Sequence, residues 1–225
     1  MYINPDIFSF LLALKRNNNK EWFDKNRERY TLLRENFMQF TNLLLSEIVS
    51  FDESLKNIVA RDCIFRINKD IRFSADKRPY KNNFGAEFSR GGRRSAYASY
   101  YVHIEPGRCF AGGGLYMPMP PVLKAVRKEI YENIEEFEEI LQNTQFKKTF
   151  GELEEIDMLK TAPSGFPKDF RRMEILRHKH YIVSFSVDDN MVCSKSFLPM
   201  LVKKFRILFP FNSFLNNAID IANTT

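Results

Sequence analysis

The residues best suited to chemistry lie in one stretch, 66–81, where cations and anions alternate among aromatic side chains. Arginine and lysine side chains donate charge-assisted hydrogen bonds to carboxylate and phosphate oxygens. The stretch is too densely charged to form a core and too regular for a disordered tail. It therefore predicts a surface that binds a small anion bearing phosphate or carboxylate. The candidate ligand-binding residues are Arg66, Lys69, Arg72, Lys77, Tyr80 and Lys81.

Three titratable side chains are candidates for acid–base catalysis, although no catalytic motif surrounds them. Asp70 and Asp76 could form a carboxylate pair, but their cationic neighbours favour the ionised form, so salt bridges that rigidify the loop are the preferred interpretation. His103 lies on a polar strand face close in sequence to the basic segment, and a structural histidine is the alternative to a general acid or base. His178 and His180 lack a third ligand at a recognisable spacing, so no metal is predicted. No cofactor motif is present either.

The positive charge is concentrated in one segment. Residues 61–94 contain ten cations and four anions, so this segment accounts for the whole net charge of +6. Such a segment predicts a surface that faces anions.

Two kinds of ligand fit this charge, and the sequence leaves both open. The first is a small anionic ligand, bound by a site that could also be catalytic. The second is nucleic acid, with the cations on phosphates and the aromatic rings stacked on bases. The interspersed acids Asp70, Asp76 and Glu87 would repel a polyanion, so the small ligand is preferred. Arg72, between two aspartates, is expected to contribute more than Arg93, which is expected to be solvated in a glycine-flanked turn.

The same stretch resembles the signature of a bacterial family, domain of unknown function 2461. That signature reads R-x-x-R-D-x-R-F-x-x-x-D/N-K-x-x-Y, and Lys69 replaces its second arginine, which keeps the charge but loses the bidentate fork. The length of the chain and its later Gly-Gly-Gly-x-Tyr-x-Pro segment extend the resemblance over nearly the whole chain. The resemblance implies a shared site but no activity. The matching residues are Arg66, Asp70, Arg72, Phe73, Asp76, Lys77 and Tyr80.

The elements that must position these residues are two helical blocks around a mainly antiparallel sheet. A helix is expected to start at Asn4-Pro5, and a second one spans about Lys20 to Val49, with Trp22 as a core aromatic. A C-terminal block from Ser196 to Ile221 is expected to form one or two helices broken near Pro210. These patterns predict an α+β fold in a single domain over residues 1–225.

The strands are indicated by alternation of period two. Residues 63–67, 84–88, 95–105 and 181–187 are predicted strands, and the Arg90-Gly91-Gly92-Arg93 turn joins the second and third as a hairpin. Within 95–105, one face contains Tyr97, Ser99, Tyr101, His103 and Glu105, and the opposite face is the better core candidate.

Another strand begins at 109–111 and is expected to end in the glycine run 112–114, before a helix near residue 120. A phosphate-binding loop is a weak interpretation of this run because the lysine and serine of such loops are missing. Close packing of the backbone against the basic loop is the alternative.

The composition excludes disorder, since 44% of the residues are hydrophobic. Three widely spaced cysteines, without any CxxC pair, indicate free thiols and a cytoplasmic protein. No signal peptide and no membrane span are expected, because no apolar run of sufficient length is present.

Overall fold

The computed structural model describes residues 2–72, 75–93 and 95–224. It confirms the α+β class. The helices are α1 (Asp6–Arg16), α2 (Lys20–Lys25), α3 (Arg27–Val49), α4 (Ala60–Cys63), α5 (Pro120–Glu132), α6 (Ile134–Gln142), α7 (Thr144–Phe150), α8 (Met173–Leu176), α9 (Asp189–Val192) and α10 (Phe197–Thr224). A 3-10 turn, Glu53–Leu55, lies between α3 and α4. The strands are β1 (Phe84–Ser89), β2 (Ser99–Ile104), β3 (Phe110–Leu115) and β4 (Tyr181–Ser186).

The strands form one antiparallel sheet in the order β1-β2-β3-β4. The β1–β2 pair is the predicted hairpin through residues 90–93, with Phe84 opposite Ile104 and Ser89 opposite Ser99. Strands that are neighbours in the sheet are also consecutive in the chain. Short connections join β1 to β2 and β2 to β3. The longer connection from β3 to β4 contains α5 to α8.

The two faces of the sheet differ in chemistry, as alternating strands require. The core face is apolar and buried, and includes Phe84, Ala86, Phe88, Tyr100, Val102, Ile104, Ala111, Tyr181, Val183 and Phe185. The outer face is polar and glycine-rich, and includes Gly85, Glu87, Tyr101, His103, Phe110, Gly112 and Ser184. The predicted division into a core face and a polar face is confirmed for residues 99–104, whereas residues 95–98 and Glu105 lie outside the strand.

α10 and α3 cover the core face of the sheet. The rings of Phe205 on α10 and Tyr100 on β2 lie 5.2 Å apart, and those of Phe37 on α3 and Phe84 on β1 lie 5.5 Å apart. α10 is a continuous helix that contains Pro210, so the predicted break there is wrong. A proline inside a helix costs about 3 kcal/mol. Burial of the large side chains on both sides of it, at about 1.5–3 kcal/mol each, offsets that cost. These side chains are Phe205, Leu208, Phe211, Phe214 and Leu215.

A polar stripe on α10 fixes the start of β2 and the turn before it. Asn212, Asn216 and Asp220 follow one another at intervals of four residues and therefore share one side of the helix. Their partners are, in order, the carbonyl of Ser99 (3.1 Å), the N–H of Ala98 (2.7 Å), and the side chains of Arg90 and Tyr97 (both 2.7 Å).

The N-terminal block differs from prediction at one residue. The expected helix from Lys20 to Val49 is interrupted at Asn26, whose side-chain amide donates to the carbonyl of Trp22 at 2.9 Å. Asparagine competes for backbone hydrogen bonds in this way and favours helix ends. Trp22 is partly buried against the core, 5.8 Å from the ring of Phe10, as expected for a core aromatic.

The predicted strand at 63–67 is wrong. α4 ends at Cys63, and only Ile64 forms an isolated bridge, opposite Ala86 of β1. One further hydrogen bond follows, from the N–H of Phe65 to the carbonyl of Gly85 at 3.0 Å. The chain therefore touches the edge of β1 at two residues and then leaves it, because no further ladder bonds continue the pairing.

The glycine run 112–114 lies inside β3 and forms part of the sheet instead of a loop before a helix. A Cβ atom at any of the three positions would lie 2.0–2.1 Å from a carbonyl oxygen of β2 or β4. The run therefore permits close packing between strands and against α10. It is strand and not the loop between a strand and a helix that a phosphate-binding loop requires.

No helix within the described ranges is both long enough and apolar enough to cross a bilayer.

Gly114→Ala should lower the free energy of unfolding by about 3 kcal/mol or more, because it combines backbone strain with a steric clash. Gly114 has a φ of +111°, and its added Cβ would lie 2.0 Å from the carbonyl oxygen of Tyr181. Gly107→Ala is the matched control, since Gly107 has a φ of +71° with no atom within 4 Å of the added Cβ. It should cost only about 1–2 kcal/mol. Urea unfolding of both variants measures the difference, and equal losses would contradict the packing argument.

Candidate functional site

Residues 66–72 and 75–81 are the two described arms of a hairpin-like loop, called here the basic hairpin, whose ends are joined by backbone hydrogen bonds. The N–H of Lys69 donates to the carbonyl of Pro79 at 2.8 Å, and the N–H of Lys81 donates to the carbonyl of Ile67 at 2.7 Å. An antiparallel bridge between residues 68 and 80 lies between these two bonds. The basic hairpin is thus closed at its base.

Tyr80 anchors the basic hairpin to the N-terminal helices. Its side chain is buried, and its ring stacks on Phe23 of α2 with 4.1 Å between centroids. The side chain of Asn18 holds its backbone on both sides, accepting from the N–H and donating to the carbonyl of Tyr80, each at 3.0 Å. The tyrosine of the family signature is therefore placed in the core beneath the loop.

Two successive Asp-x-Arg turns occupy the charged end of the basic hairpin. Arg72 donates to both carboxylate oxygens of Asp70, at 3.0 and 2.7 Å, and Arg78 does the same to Asp76, at 2.9 and 2.8 Å. Lys69 also donates to Asp76, at 2.6 Å. These hydrogen bonds, chiefly from Arg72 and Arg78 respectively, lower the pKa values of Asp70 and Asp76. Both carboxylates are therefore ionised at neutral pH, and their geometry fixes the orientation of the arginines.

Lys77, between the two residues of the second turn, is exposed and donates from Nζ to the carbonyl of Ile71 at 3.1 Å. Phe73 of the signature, and Ser74 beside it, lie outside the described residues, as does Arg94 in the following turn.

Two cations, Lys81 and Arg93, lie over the ring of Phe65, and a third, Arg66, is near enough for its charge to act on Lys81. Arg66, Lys81 and Arg93 are called here the cation cluster. Lys81 Nζ lies 4.9 Å and Arg93 Cζ 5.2 Å from the ring centroid, both within cation–π range. Burial, followed by the charges of Arg66 and Arg93, lowers the pKa of the Lys81 ammonium. In the part of the chain that the structure describes, none of these cations forms an ion pair with a carboxylate.

Arg93 is not solvated, so that expectation is wrong. It is partly buried, and its Nε donates to the carbonyl of Asp62 in addition to its contact with Phe65. The reason is tertiary, because the turn that contains Arg93 is held against α10 by the polar stripe. Sequence alone placed it beside two glycines, which is typical of an exposed turn.

His103 is the middle residue of a hydrogen-bonded row on the outer face of β2. Its Nδ1 lies 3.0 Å from the hydroxyl of Tyr101, and its Nε2 lies 3.3 Å from a carboxylate oxygen of Glu105. Because a carboxylate only accepts, Nε2 carries the proton and donates, and Nδ1 accepts from the tyrosine hydroxyl. The imidazole also stacks on Phe110, with 4.7 Å between ring centroids. This arrangement suits a histidine that exchanges protons.

Burial controls the titration of the row. It lowers the pKa of His103, which Glu105 partly offsets, and it raises the pKa of Tyr101 to about 12. At neutral pH His103 is therefore an uncharged imidazole and Tyr101 an intact phenol.

Phe65 connects the cation cluster to the row. Its ring meets that of Tyr101 edge-on, 6.1 Å between centroids. Gly85 lies beneath both, and a Cβ there would stand 2.9 Å from the hydroxyl of Tyr101 and 3.5 Å from Phe65. The absence of a side chain at Gly85 thus lets the two rings meet on the outer face.

Of the predicted ligand-binding residues, the structure brings Arg66 and Lys81 together and gives Lys69, Arg72 and Lys77 partners within the basic hairpin. Sequence reasoning missed the contribution of Phe65, Tyr101 and Arg93. The alternation of 95–105 already placed Tyr101 on the face of His103, but no sequence signal placed Arg93 beside Phe65.

The other histidines have packing roles. His178 and His180 are buried, and Nδ1 of His180 accepts from the N–H of Met117 at 2.8 Å. Across the ranges that the structure describes, no three His, Cys, Asp or Glu side chains come close enough to hold a metal ion. The three cysteine thiols are free, and burial raises the pKa values of Cys63 and Cys109 to about 12, so neither is a ready thiolate nucleophile.

The fold and site define an α+β protein with a four-stranded antiparallel sheet whose polar face meets a basic hairpin. The chain belongs to the DUF2461 family, described as a conserved hypothetical protein, and the family model matches residues 6–214. No curated protein and no solved structure matches the chain significantly.

An NMR titration should place the pKa of His103 below its ordinary value of 6.5, because burial disfavours the imidazolium. Glu105→Gln should lower it further, since Glu105 stabilises the charged form. His178, whose pKa is also lowered by burial, serves as the internal control and should not change in this variant.

The lowered pKa of His103 also determines how the free energy of unfolding depends on pH. The unfolded chain binds the proton more readily at residue 103, so the free energy of unfolding should decrease as the pH falls through about 6.5. A His103 titration midpoint at or above 6.5 would contradict the burial argument.

Proposed function

We propose that this protein binds a small anionic ligand, bearing phosphate or carboxylate, at the cation cluster. The observation that carries the proposal is the placement of Lys81 Nζ and Arg93 Cζ over one ring, 4.9 and 5.2 Å from the centroid of Phe65. Burial, and then the charges of Arg66 and Arg93, lower the pKa of the Lys81 ammonium there.

Like charges held close together destabilise the folded protein. The carboxylates of Asp70 and Glu87, although near enough to act on Arg66 and Arg93, form no ion pair with them among the described residues. An anion between the cations removes that repulsion, which makes binding favourable.

The cluster offers complementary contacts to a compact anion. A guanidinium can donate two parallel hydrogen bonds to one carboxylate or phosphate, and an ammonium group adds a point charge. Phe65 supplies an apolar wall against which these cations are held. Arg66, Lys81 and Arg93 are therefore the proposed ligand contacts.

The rest of the basic hairpin supports this site in the proposal. Lys69 and Arg72, already paired with aspartates, together with Lys77 shape the loop and add positive potential that attracts anions. Tyr80 holds the base of the loop in the core.

The row of Tyr101, His103 and Glu105 adjoins the cluster through Phe65 and gives the site a directed hydrogen-bonding group. An uncharged histidine whose tautomer is set by a carboxylate accepts a hydrogen bond from the Tyr101 hydroxyl and so orients that hydroxyl. In the proposal, the hydroxyl of Tyr101 contacts the ligand. His103 holds that hydroxyl through their hydrogen bond and does not contact the ligand itself. Asp70 and Asp76 have structural roles in the loop.

Nucleic acid is the alternative ligand, and the cations next to Phe65 and Tyr101 are the observation in its favour. The exposed part of the basic hairpin favours the small ligand, because Asp70 and Asp76 compensate the charges of Arg72 and Arg78 there. A polyanion spanning the hairpin would meet pairs of opposite charges instead of a continuous cationic track.

Lys81→Met should weaken binding of the best ligand by about tenfold to a hundredfold, since hydrogen bonds to charged groups are worth about 1.5–3 kcal/mol. Methionine keeps an apolar side chain over Phe65 and removes only the charge. Arg78→Met, which removes one charge from the same hairpin at a residue paired with Asp76, is the control and should change affinity less than about threefold.

Calorimetry with inorganic phosphate, a panel of phosphorylated and carboxylated metabolites, and single-stranded oligonucleotides measures both effects. A compact ligand should show a shallow dependence of affinity on salt, whereas release of many counterions would give a steep one. Equal losses in both variants, with oligonucleotides as the only binders, would replace this proposal with the nucleic-acid function.

A further inference from the structure

A second concave site lies on the helical side of the molecule. α6 and α7 form one wall, α10 forms the other, and Glu47 of α3 lies at the margin of a cleft of about 830 Å³. Ligand sites for small molecules occupy about 300–1,000 Å³. The cleft shares no residue with the cation cluster or the outer face of the sheet, so it is independent of the function proposed above.

The floor of the cleft is apolar and incompletely covered. Ile140, Leu198, Val202 and Ile207 line it and are partly exposed, and Phe146 beside them is buried. Water contact with such side chains is unfavourable by about 25 cal/mol per Å² of apolar surface. A ligand with an apolar body would remove this surface from water.

The proline inside α10 adds a hydrogen-bond acceptor to the cleft. Pro210 has no N–H, so the carbonyl of Arg206, four residues earlier, lacks its normal helical donor. Both residues line the cleft. The acceptor favours a ligand that carries a donor group, such as an ammonium.

The charges along α6 point to the same ligand. Glu135 and Glu138, outside the cleft, are paired with Arg171 at 2.9 and 2.8 Å. Glu136 and Glu139 line the cleft, and among the described residues neither they nor Glu47 forms an ion pair.

The two cations of the cleft do not balance these acids. Arg206 is directed to the end of α3, with Cζ 4.9 Å from the ring of Phe51 and Nη2 3.5 Å from the hydroxyl of Ser50. Lys203 is then left to balance the three carboxylates of Glu47, Glu136 and Glu139. The rim of the cleft therefore has an excess of negative charge.

We propose that this cleft binds an amphiphilic organic cation. Its apolar body lies on Ile140, Val202 and Ile207, and its ammonium group faces Glu136 and Glu139 at the rim. The ammonium can also donate to the carbonyl of Arg206.

Three ligands of similar shape test the charge preference: phenylbutylammonium, phenylbutanol and phenylbutyrate. NMR titration should show the ammonium binding about fivefold more tightly than the alcohol, the factor that corresponds to about 1 kcal/mol, and the carboxylate binding most weakly. The shifted resonances should belong to cleft residues. Preferential binding of phenylbutyrate would overturn the proposal in favour of an anion held by Lys203 and Arg206.

Two variants and one control test the location. Glu139→Gln should weaken phenylbutylammonium binding by about fivefold. Glu135→Gln, on the same helix but paired with Arg171, should leave it unchanged. Val202→Trp fills the cleft and should abolish binding of all three ligands. Binding that survives Val202→Trp, or equal losses from Glu139→Gln and Glu135→Gln, would show that the cleft is not the site.

Discussion

The close packing of α10 against β3 is the constraint on which the rest of the structure depends. Gly113 faces the core, and a Cβ there would lie 2.8 Å from a methyl group of Leu208. Because the glycine strand admits the helix at this distance, α10 can cover the core face of the sheet while its polar stripe reaches the start of β2. The outer face, with His103 and Phe65, is therefore free to form a site.

The same contact determines where the unpaired charge lies. Asn216 and Asp220 of α10 hold the backbone of Ala98 and the side chain of Arg90, on the two sides of the β1–β2 turn. This turn also places Arg93 beside the ring of Phe65. In the basic hairpin, aspartates compensate Lys69, Arg72 and Arg78 within a few residues. Among the described cations of residues 61–94, the three of the cation cluster make no ion pair with a carboxylate, and it is there that we propose an anion binds.

Several features were predictable because they depend on local periodicity. Alternation over 95–105 correctly separated Tyr100 from His103, and the glycine pair at 91–92 correctly marked the hairpin turn. Local rules failed where tertiary packing outweighed them. Pro210 does not break α10, because large apolar side chains on both sides of it are buried. Residues 63–67 have the pattern of a strand, but only the edge of β1 at residues 85–86 was available to them.

By itself, the sequence determined the α+β class, the family signature, the concentration of positive charge in 61–94 and the polar strand face that bears His103. These follow from residue types and spacings of two to four residues. Only the tertiary structure decided which cations are paired, that Tyr80 is an anchor, that Arg93 joins Arg66 and Lys81, and that α6 and α10 enclose a cleft. The reason is physical, because electrostatic energies and cavity shapes depend on distances between atoms whose residues are far apart in the chain.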